Sequence, residues 1–555
     1  MNIIKTYYSR HKGLLISVIG LGLFSNALKL AIPLCVGKFY QLALDGGSAR
    51  SGIFDALFGN VQSINIFFSI FFGILLLRFI VQFAEQYLIG MTGETFSAWL
   101  RETLFTKQLH TVYSVFTQKD PGKYLLRYSG DMSALRLFIT KGQIGAITDF
   151  AFLIMTIGLF GWLNITLTYL LLIAIPAIFL ISILINRFMR PSTEKRRDIN
   201  ATNLNFVSER LHAMATIKVM NRSTPEINKF QRRSTKLLEA GKVYQFWNAL
   251  NKALYPFLLY LLLAFVMLMI YKLLSNNTIT ADGGTLLIFV MLIIQIIPVV
   301  KRLLRSGAIR ESGKLSLKKC KLLLEAPEDS REGHAMPVKK GDIRINNLSI
   351  KFGGKTIFEN ASFHFPPKGI TLISGTGGSG KSTLLKYISG LTIPESGEIM
   401  IDDASTKSYS IFQVRKKITF ISQELPLIGK HVYDAISYNR DPDKKHDAMQ
   451  ILSAIGFCDK FQDEVLELPL EKGGANFSTS QQQLLRIARG LITGKKIILL
   501  DEPFEGLDDR SARQVAYHLT HISSSHTIIL VSKSIPETLF IQHRISLDKL
   551  KQPNV

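Results

Sequence analysis

The 555-residue chain is 47% hydrophobic and only 19% charged, with a mean hydropathy of +0.21, which excludes disordered, collagen-like and disulfide-scaffold classes and points to a membrane protein. Its formal net charge of +24 suits either a nucleic-acid binder or a membrane protein with basic cytoplasmic loops. Cys35, Cys320 and Cys458 lie too far apart to suggest a disulfide framework or a zinc site.

The chain opens with Lys5, Arg10 and Lys12 ahead of an apolar stretch, the layout of a secretory signal peptide. No small-residue cleavage site closes that stretch and further apolar segments follow, so it is expected to remain as a first span. Six stretches near the ~20 residues that cross ~30 Å of hydrocarbon are predicted, at 13–36, 64–90, 142–163, 166–186, 253–274 and 284–304. The fourth is uncharged, whereas the first carries Lys29 and the second carries Arg78 and Glu85. Lys29 lies about 24 Å along its helix, from where it can snorkel to the outer interface or face a polar interior. Arg78, mid-span, is expected to face a cavity and meet an anionic substrate there, or else to serve folding by pairing with Glu85 or Asp149. Lys and Arg number 24 in the N-terminal segment, 91–141 and 187–252, against 3 in the connections on the other side. Both termini are therefore expected in the cytoplasm, and the basic surplus needs no nucleic-acid partner.

After the sixth span the composition turns polar and then resolves into short apolar runs. A linker at 326–337 is expected to separate a transmembrane domain at 1–325, with two long cytoplasmic loops, from a second domain at 338–555. Buried strands alternating with helical patterns indicate a parallel α/β sheet. Within it, Gly375, Thr376, Gly377, Gly378, Ser379, Gly380, Lys381, Ser382 and Thr383 follow the strand ITLIS and open a helical pattern, the context of a phosphate-binding P-loop. Glycines let backbone N–H groups turn inward around phosphates, and the helix N-terminus adds positive potential. Lys381 suits contact with the β- and γ-phosphates, and the Ser382 hydroxyl suits one Mg2+ position. Further on, the apolar run IILL ends in Asp501 and Glu502. At a strand's C-terminal edge beside a P-loop, Asp501 suits the Mg2+ shell and Glu502 the polarisation of an attacking water.

These residues carry a family resemblance: the chain is similar to ABC transporters of the exporter type, half-transporters with six spans fused ahead of one nucleotide-binding domain. The resemblance implies an α-helical membrane bundle of six transmembrane helices followed by an α/β P-loop NTPase domain of the ABC ATPase type, with ATP and Mg2+ as its ligands. It assigns Phe352 to stacking on adenine, Gln423 to the Q-loop and the Mg2+ shell, and Asp508 to the D-loop. The segments 120–131 and 209–218 resemble the family's two long intracellular loops, with coupling helices expected near Tyr113–Gln118 and Val219–Glu226.

Two positions depart from the family pattern. Its signature, Leu-Ser-Gly-Gly-Gln, reads here Phe477, Ser478, Thr479, Ser480 and Gln481; the added Cβ atoms are expected to weaken contact with a partner's γ-phosphate while keeping hydroxyl donors. The switch histidine after the last family strand is Lys533, a point charge able to attract the γ-phosphate without positioning the water. The resemblance still implies an ATP-driven exporter of an amphipathic lipid, lipopeptide or peptide, a slow ATPase embedded among membrane lipids as an obligate dimer. A homodimer is favoured, multi-pass in a bacterial inner membrane. The two departures motivate a rival, an ATP-binding and poorly hydrolysing regulatory subunit of a heterodimer, against which the retained Glu502 argues.

Overall fold

Hydrocarbon offers backbone polar groups no partner except one another, so long apolar segments that enter it fold as helices. The computed structural model of the chain describes residues 3–44, 63–117, 124–125, 127–275, 283–329, 334–352, 355–394, 396–438, 441–458 and 463–548. They form two units, Met1–Phe105 with Tyr124–Leu324, and Thr106–Lys123 with Glu325–Val555.

In the first unit a short α1 (Ile3–Arg10) precedes α2 (Lys12–Leu44), α3 (Ile64–His110), α4 (Arg127–Leu163), α5 (Ile165–His212), α6 (Ser223–Ser275) and α7 (Gly283–Leu324). Each of α2 to α7 contains one of the predicted stretches, and among the described residues these six are long and apolar enough to cross a bilayer. Several outrun the hydrocarbon. The 53 residues of α6 extend about 80 Å at 1.5 Å per residue, so its Lys- and Arg-rich first half has no need to enter lipid. A single residue, Asn164, separates α4 from α5 and caps the latter by accepting from the N–H groups of Thr166 and Leu167. The core between helices is filled by Phe152, Phe160, Leu171, Leu292, Ile293 and Ile296. The start of α4 carries two π-helical turns, Arg127–Asp131 and Phe138–Ile144, and Gly313 of α7 lets that helix approach Phe138, against which any Cβ would collide. A short helix at Met214–Val219 stands ahead of the expected second coupling segment, because the chain turns at Asn221 (φ 49°) and Ser223 already opens α6.

In the second unit, β1 (Ile343–Phe352), β2 (Lys355–Phe365), β4 (Ser396–Ile401) and β5 (Ala404–Ser405) form an antiparallel sheet in the order β2-β1-β4-β5. A parallel sheet in the order β6-β7-β8-β3-β9 contains β3 (Gly369–Ser374), β6 (Ile418–Ser422), β7 (Ile497–Asp501), β8 (Thr527–Val531) and β9 (His543–Ser546). Every residue of β7 and β8 is buried, the mark of a parallel sheet covered on both faces. Around it lie α8 (Lys381–Ile388), α9 (Ile411–Arg415), α10 (Val432–Ser437), α11 (Lys445–Ala454), α12 (Thr479–Leu491) and α13 (Asp509–Ile522). Asp402 closes the β4–β5 turn and accepts from the backbone N–H groups of Lys339, Lys340, Gly341 and Asp342 at 2.5–2.8 Å. Burial pushes that carboxyl up, but the four hydrogen bonds outweigh it and hold the group below its ordinary range.

The end of α3 belongs to this second unit. His110 and Val112 exchange backbone hydrogen bonds with Asp329 (2.7 Å) and Pro327 (3.1 Å), and Lys107 reaches Glu328 at 2.5 Å. Arg415 then ties Asp329 to the carbonyl of Gly390. The short helix Ser114–Thr117 falls within the expected first coupling segment, of which Gln118 lies outside the described residues.

Candidate nucleotide site

Ligands of open parallel sheets bind beyond the C-terminal strand edges, and the P-loop residues leave β3 at that edge. The loop turns into α8 through Gly380, whose φ of +97° is left-handed and whose Cβ, if present, would collide with Ile357 and Phe358. Thr376, Gly377 and Gly378 are exposed, and Ser379 is buried beneath them. The Lys381 ammonium arches over the loop, donating to the carbonyls of Gly375 (2.7 Å) and Thr376 (2.9 Å). Thr383 follows in the first turn of α8. Phe352 ends β1, and its side chain lies outside the described residues.

The two predicted halves meet. Ser382 Oγ donates to Asp501 Oδ1 at 2.9 Å. Burial pushes the Asp501 carboxyl above its ordinary range; the Ser382 bond opposes this, and the charges of Glu502 and Glu424 add to it. The buried Asp501 carboxylate and the Ser382 hydroxyl beside it are two oxygen donors of the kind a hard divalent cation such as Mg2+ takes, and among the described residues no cluster of three or more acidic, histidine or cysteine side chains adds to them. Glu502 adopts a left-handed backbone (φ 51°) and donates its N–H to Val531 O at 2.8 Å. Its carboxylate accepts from the Lys533 backbone N–H at 3.0 Å, with the Lys533 ammonium 4.0 Å from the other oxygen. Gln423, just past β6, donates to the Glu505 carbonyl at 3.3 Å.

At the signature, Ser478 caps α12 in a reciprocal box with Gln481. Ser480 donates its hydroxyl to Asp508 at 3.3 Å, so that donor is engaged within its own chain. The Thr479 methyl lies 3.0 Å from where a Cβ of Gly506 would stand. Hydrogen bonds from Ser511 hold the Asp508 carboxyl below its ordinary range while that carboxyl caps α13.

Two residues of the site escaped the sequence reading. Asp548, two residues past β9, accepts from the Thr376 N–H (3.0 Å) and hydroxyl (2.9 Å) and so pins the outer turn of the P-loop. Gln483, fully buried in α12, donates to the Pro503 carbonyl at 3.2 Å and ties the signature helix to the segment after Glu502. Neither lies in a local pattern that signals its partner, since 172 residues separate Asp548 from Thr376.

Residues 15–298 match the family model described as the ABC transporter transmembrane region, and residues 358–505 match that of the ABC transporter. The chain belongs to the ABC transporter family. This ABC transporter is 25% identical over 486 residues to an ATP-dependent lipid A-core flippase of Burkholderia thailandensis, covering 85% of this chain and 78% of the flippase. It is 24% identical over 532 residues to the alpha-hemolysin translocation ATP-binding protein HlyB of Escherichia coli O157:H7, covering 94% of this chain and 73% of that protein. Its fold is that of a bacterial Atm1-family ABC exporter with ATP bound, at a TM-score of 0.78 and 17% identity, over 94% of this chain and 91% of that one. The transporter is an integral membrane protein of the half-transporter exporter architecture, and it couples ATP hydrolysis to transport.

Asp548→Ala in this transporter is expected to raise the KM for ATP about tenfold while kcat changes less, because the hydrogen bonds to Thr376 order the loop before ATP arrives. Steady-state ATPase assays read this directly, and an unchanged KM would reduce Asp548 to a surface contact.

Proposed function

We propose that this chain works as a homodimer that uses ATP to move an amphipathic molecule, a lipid, lipopeptide or peptide, across a bacterial inner membrane, with both termini in the cytoplasm. The flippase relatives favour the lipid. The supporting observation is the convergence of Ser382 on Asp501 and of Lys533 on Glu502 at one edge of the parallel sheet, in a chain with six membrane-crossing helices.

Lys381 and the exposed loop N–H groups would hold the ATP phosphates, with Phe352 stacked on adenine. Ser382, Asp501 and Gln423 would hold Mg2+, which when bound screens phosphate charge. Glu502 takes the proton of the attacking water; its left-handed backbone and the Lys533 N–H aim the carboxylate. Ser478, Thr479, Ser480 and Gln481 of a second copy close over the phosphates, and that requirement makes the dimer the smallest working unit. Because the Lys533 ammonium sits beside Glu502 and lacks an acceptor to orient water, turnover is slow while ATP binding is ordinary.

Charges on the described spans support an anionic head group for the substrate. Arg302 of α7 pairs with Asp149 of α4 through both carboxylate oxygens at 2.5–3.1 Å. Lys29 lies 4.0 Å over the Phe152 ring and feels the charges of Arg302, Arg78, Asp149 and Glu85. With Asp149 taken by Arg302, Lys29 and Arg78 outnumber Glu85 in this cluster, an arrangement that suits an anionic head group.

Glu502→Gln is expected to bind ATP as the parent does and to lose hydrolysis by about 10²-fold or more. Turnover at the parental rate would remove Glu502 from the reaction, and a parent with no turnover of its own would favour the regulatory-subunit alternative. Lys533→His is expected to raise kcat about tenfold with little change in KM, since the backbone N–H to Glu502 is kept; a change confined to KM would mean that another residue positions the water. Arg78→Ala should cut substrate-stimulated ATPase severalfold and spare the basal rate, whereas equal loss of both would assign Arg78 to folding.

A further inference from the structure

α3 is one uninterrupted helix from Ile64 to His110, and its predicted span ends at residue 90, so about five further turns carry it past the hydrocarbon. Where it ends, the chain forms a short antiparallel bridge with the segment that follows α7. Thr111 lies opposite Glu328, Asp329 donates its N–H to the His110 carbonyl at 2.7 Å, and Val112 donates its own to the Pro327 carbonyl at 3.1 Å. Lys107, one turn earlier, pairs with Glu328. Backbone hydrogen bonds and an ion pair thus make residues 107–112 and 327–329 a single piece.

Arg415 holds that piece from the other side. It closes α9 just ahead of β6, and Lys495 fixes its backbone by donating to its carbonyl at 2.9 Å. One guanidinium N–H goes to Asp329 Oδ2, and two go to the Gly390 carbonyl, from Nε at 3.0 Å and from Nη2 at 2.8 Å. The Asp329 side chain is only 14% exposed, and its other oxygen is buried with no hydrogen-bond partner among the described residues, so the pair with Arg415 offsets the cost of burying that charge. Gly390 follows the C-cap of α8 in a left-handed conformation (φ +71°), with Ile411 of α9 standing where a Cβ would go. The end of a helix leaves carbonyls unpaired and carries negative potential, which a guanidinium satisfies. α8 has 8 residues and is about 12 Å long. Lys381 and Ser382 occupy its first turn, so one short rod has the candidate phosphate ligands at one end and Arg415 at the other.

We propose that Arg415 is a positioning residue for ATP hydrolysis, joining the P-loop helix to the end of α3 so that nucleotide at the first changes the stability of the second. The proposal rests on the reading of Lys381 and Ser382 as phosphate ligands. The route leaves the chain ahead of the short helix Ser114–Thr117 and uses no contact made by it. Lys381 donates to the carbonyls of Gly375 and Thr376 and has to release them to meet phosphate, which disturbs the start of α8. The planar fork of Arg415 holds its two acceptors in fixed directions, so a shift of α8 passes to Asp329 instead of being absorbed by a flexible side chain. By linkage the effect is mutual, and motion of α3 alters nucleotide affinity.

Hydrogen–deuterium exchange of the detergent-solubilised full-length protein, with and without adenylyl imidodiphosphate and Mg2+, tests this through the amides of Val112 and Asp329. In the parent the nucleotide is expected to slow exchange at residues 375–383 and, about fivefold, at 107–112 and 328–329. R415Q is expected to keep the response at 375–383 and to lose the one at 107–112. D329N, which leaves the grip on Gly390 in place, is expected to do the same. Equal exchange at 107–112 with and without nucleotide in the parent overturns the proposal. So does a nucleotide response there that survives in R415Q or D329N, even if both states exchange faster, since that is the mark of a merely structural contact. No response at 375–383 in the parent removes the phosphate reading and the proposal with it. Should R415Q fail to fold, D329N decides the matter.

Discussion

The hydrogen bond from the Ser382 hydroxyl to Asp501 joins residues 119 apart in sequence, and the geometry of the candidate nucleotide site is built around it. A carboxylate buried at the end of a strand is costly unless something pairs with it. Asp501 is 6% exposed, and its partner arrives on the first turn of α8, reached only because Gly380 turns the chain through a left-handed conformation. From that contact the rest follows by register. β7 and β8 pair in parallel with Asp501 opposite Val531, so the Glu502 N–H falls on the Val531 carbonyl. Lys533, two residues further on, then comes to the Glu502 carboxylate. The alignment of two fully buried strands thus decides which residue faces the candidate base.

The membrane unit meets the same constraint under harsher terms, since hydrocarbon offers no water to an unpartnered charge. Arg302 and Asp149 answer it with a two-oxygen pair between α7 and α4, and Lys29 does so by resting on the Phe152 ring. Both ion-pair partners sit on different helices, so the pair also sets how α4 and α7 meet. An aromatic face receives a cation without fixing it in a bidentate geometry, which leaves the Lys29 ammonium easier to redirect than the Arg302 guanidinium.

The two departures from the family pattern are integrated into the fold. Ser480 is bonded to Asp508, whose other oxygen caps α13, and Thr479 packs beside Gly506. Residues 478–481 and Asp508 are therefore one connected block within the chain, further tied to the strand end by Gln483. Lys533 engages Glu502 first through its backbone, an interaction any residue but proline provides at that position, so the side chain can vary while the carboxylate stays aimed.

The amino-acid sequence by itself determined the six spans, the P-loop, the acidic pair after a buried strand and the two departures, because each is a local pattern: a run of apolar residues, glycines before Lys381, carboxylates after IILL. The structure alone decided the pairings. Asp149, an alternative partner for Arg78 should Arg78 serve folding, is taken by Arg302. Within its own chain the Ser480 hydroxyl donates to Asp508, a pairing with no local signal. The Asp548 hold on Thr376 and the four N–H groups gathered by Asp402 had no sequence signal. Hydrophobic periodicity and glycine conformation are properties of neighbouring residues and can be read along the chain. A hydrogen bond between residues far apart in sequence depends on strand register and helix approach, which exist only once the core has packed.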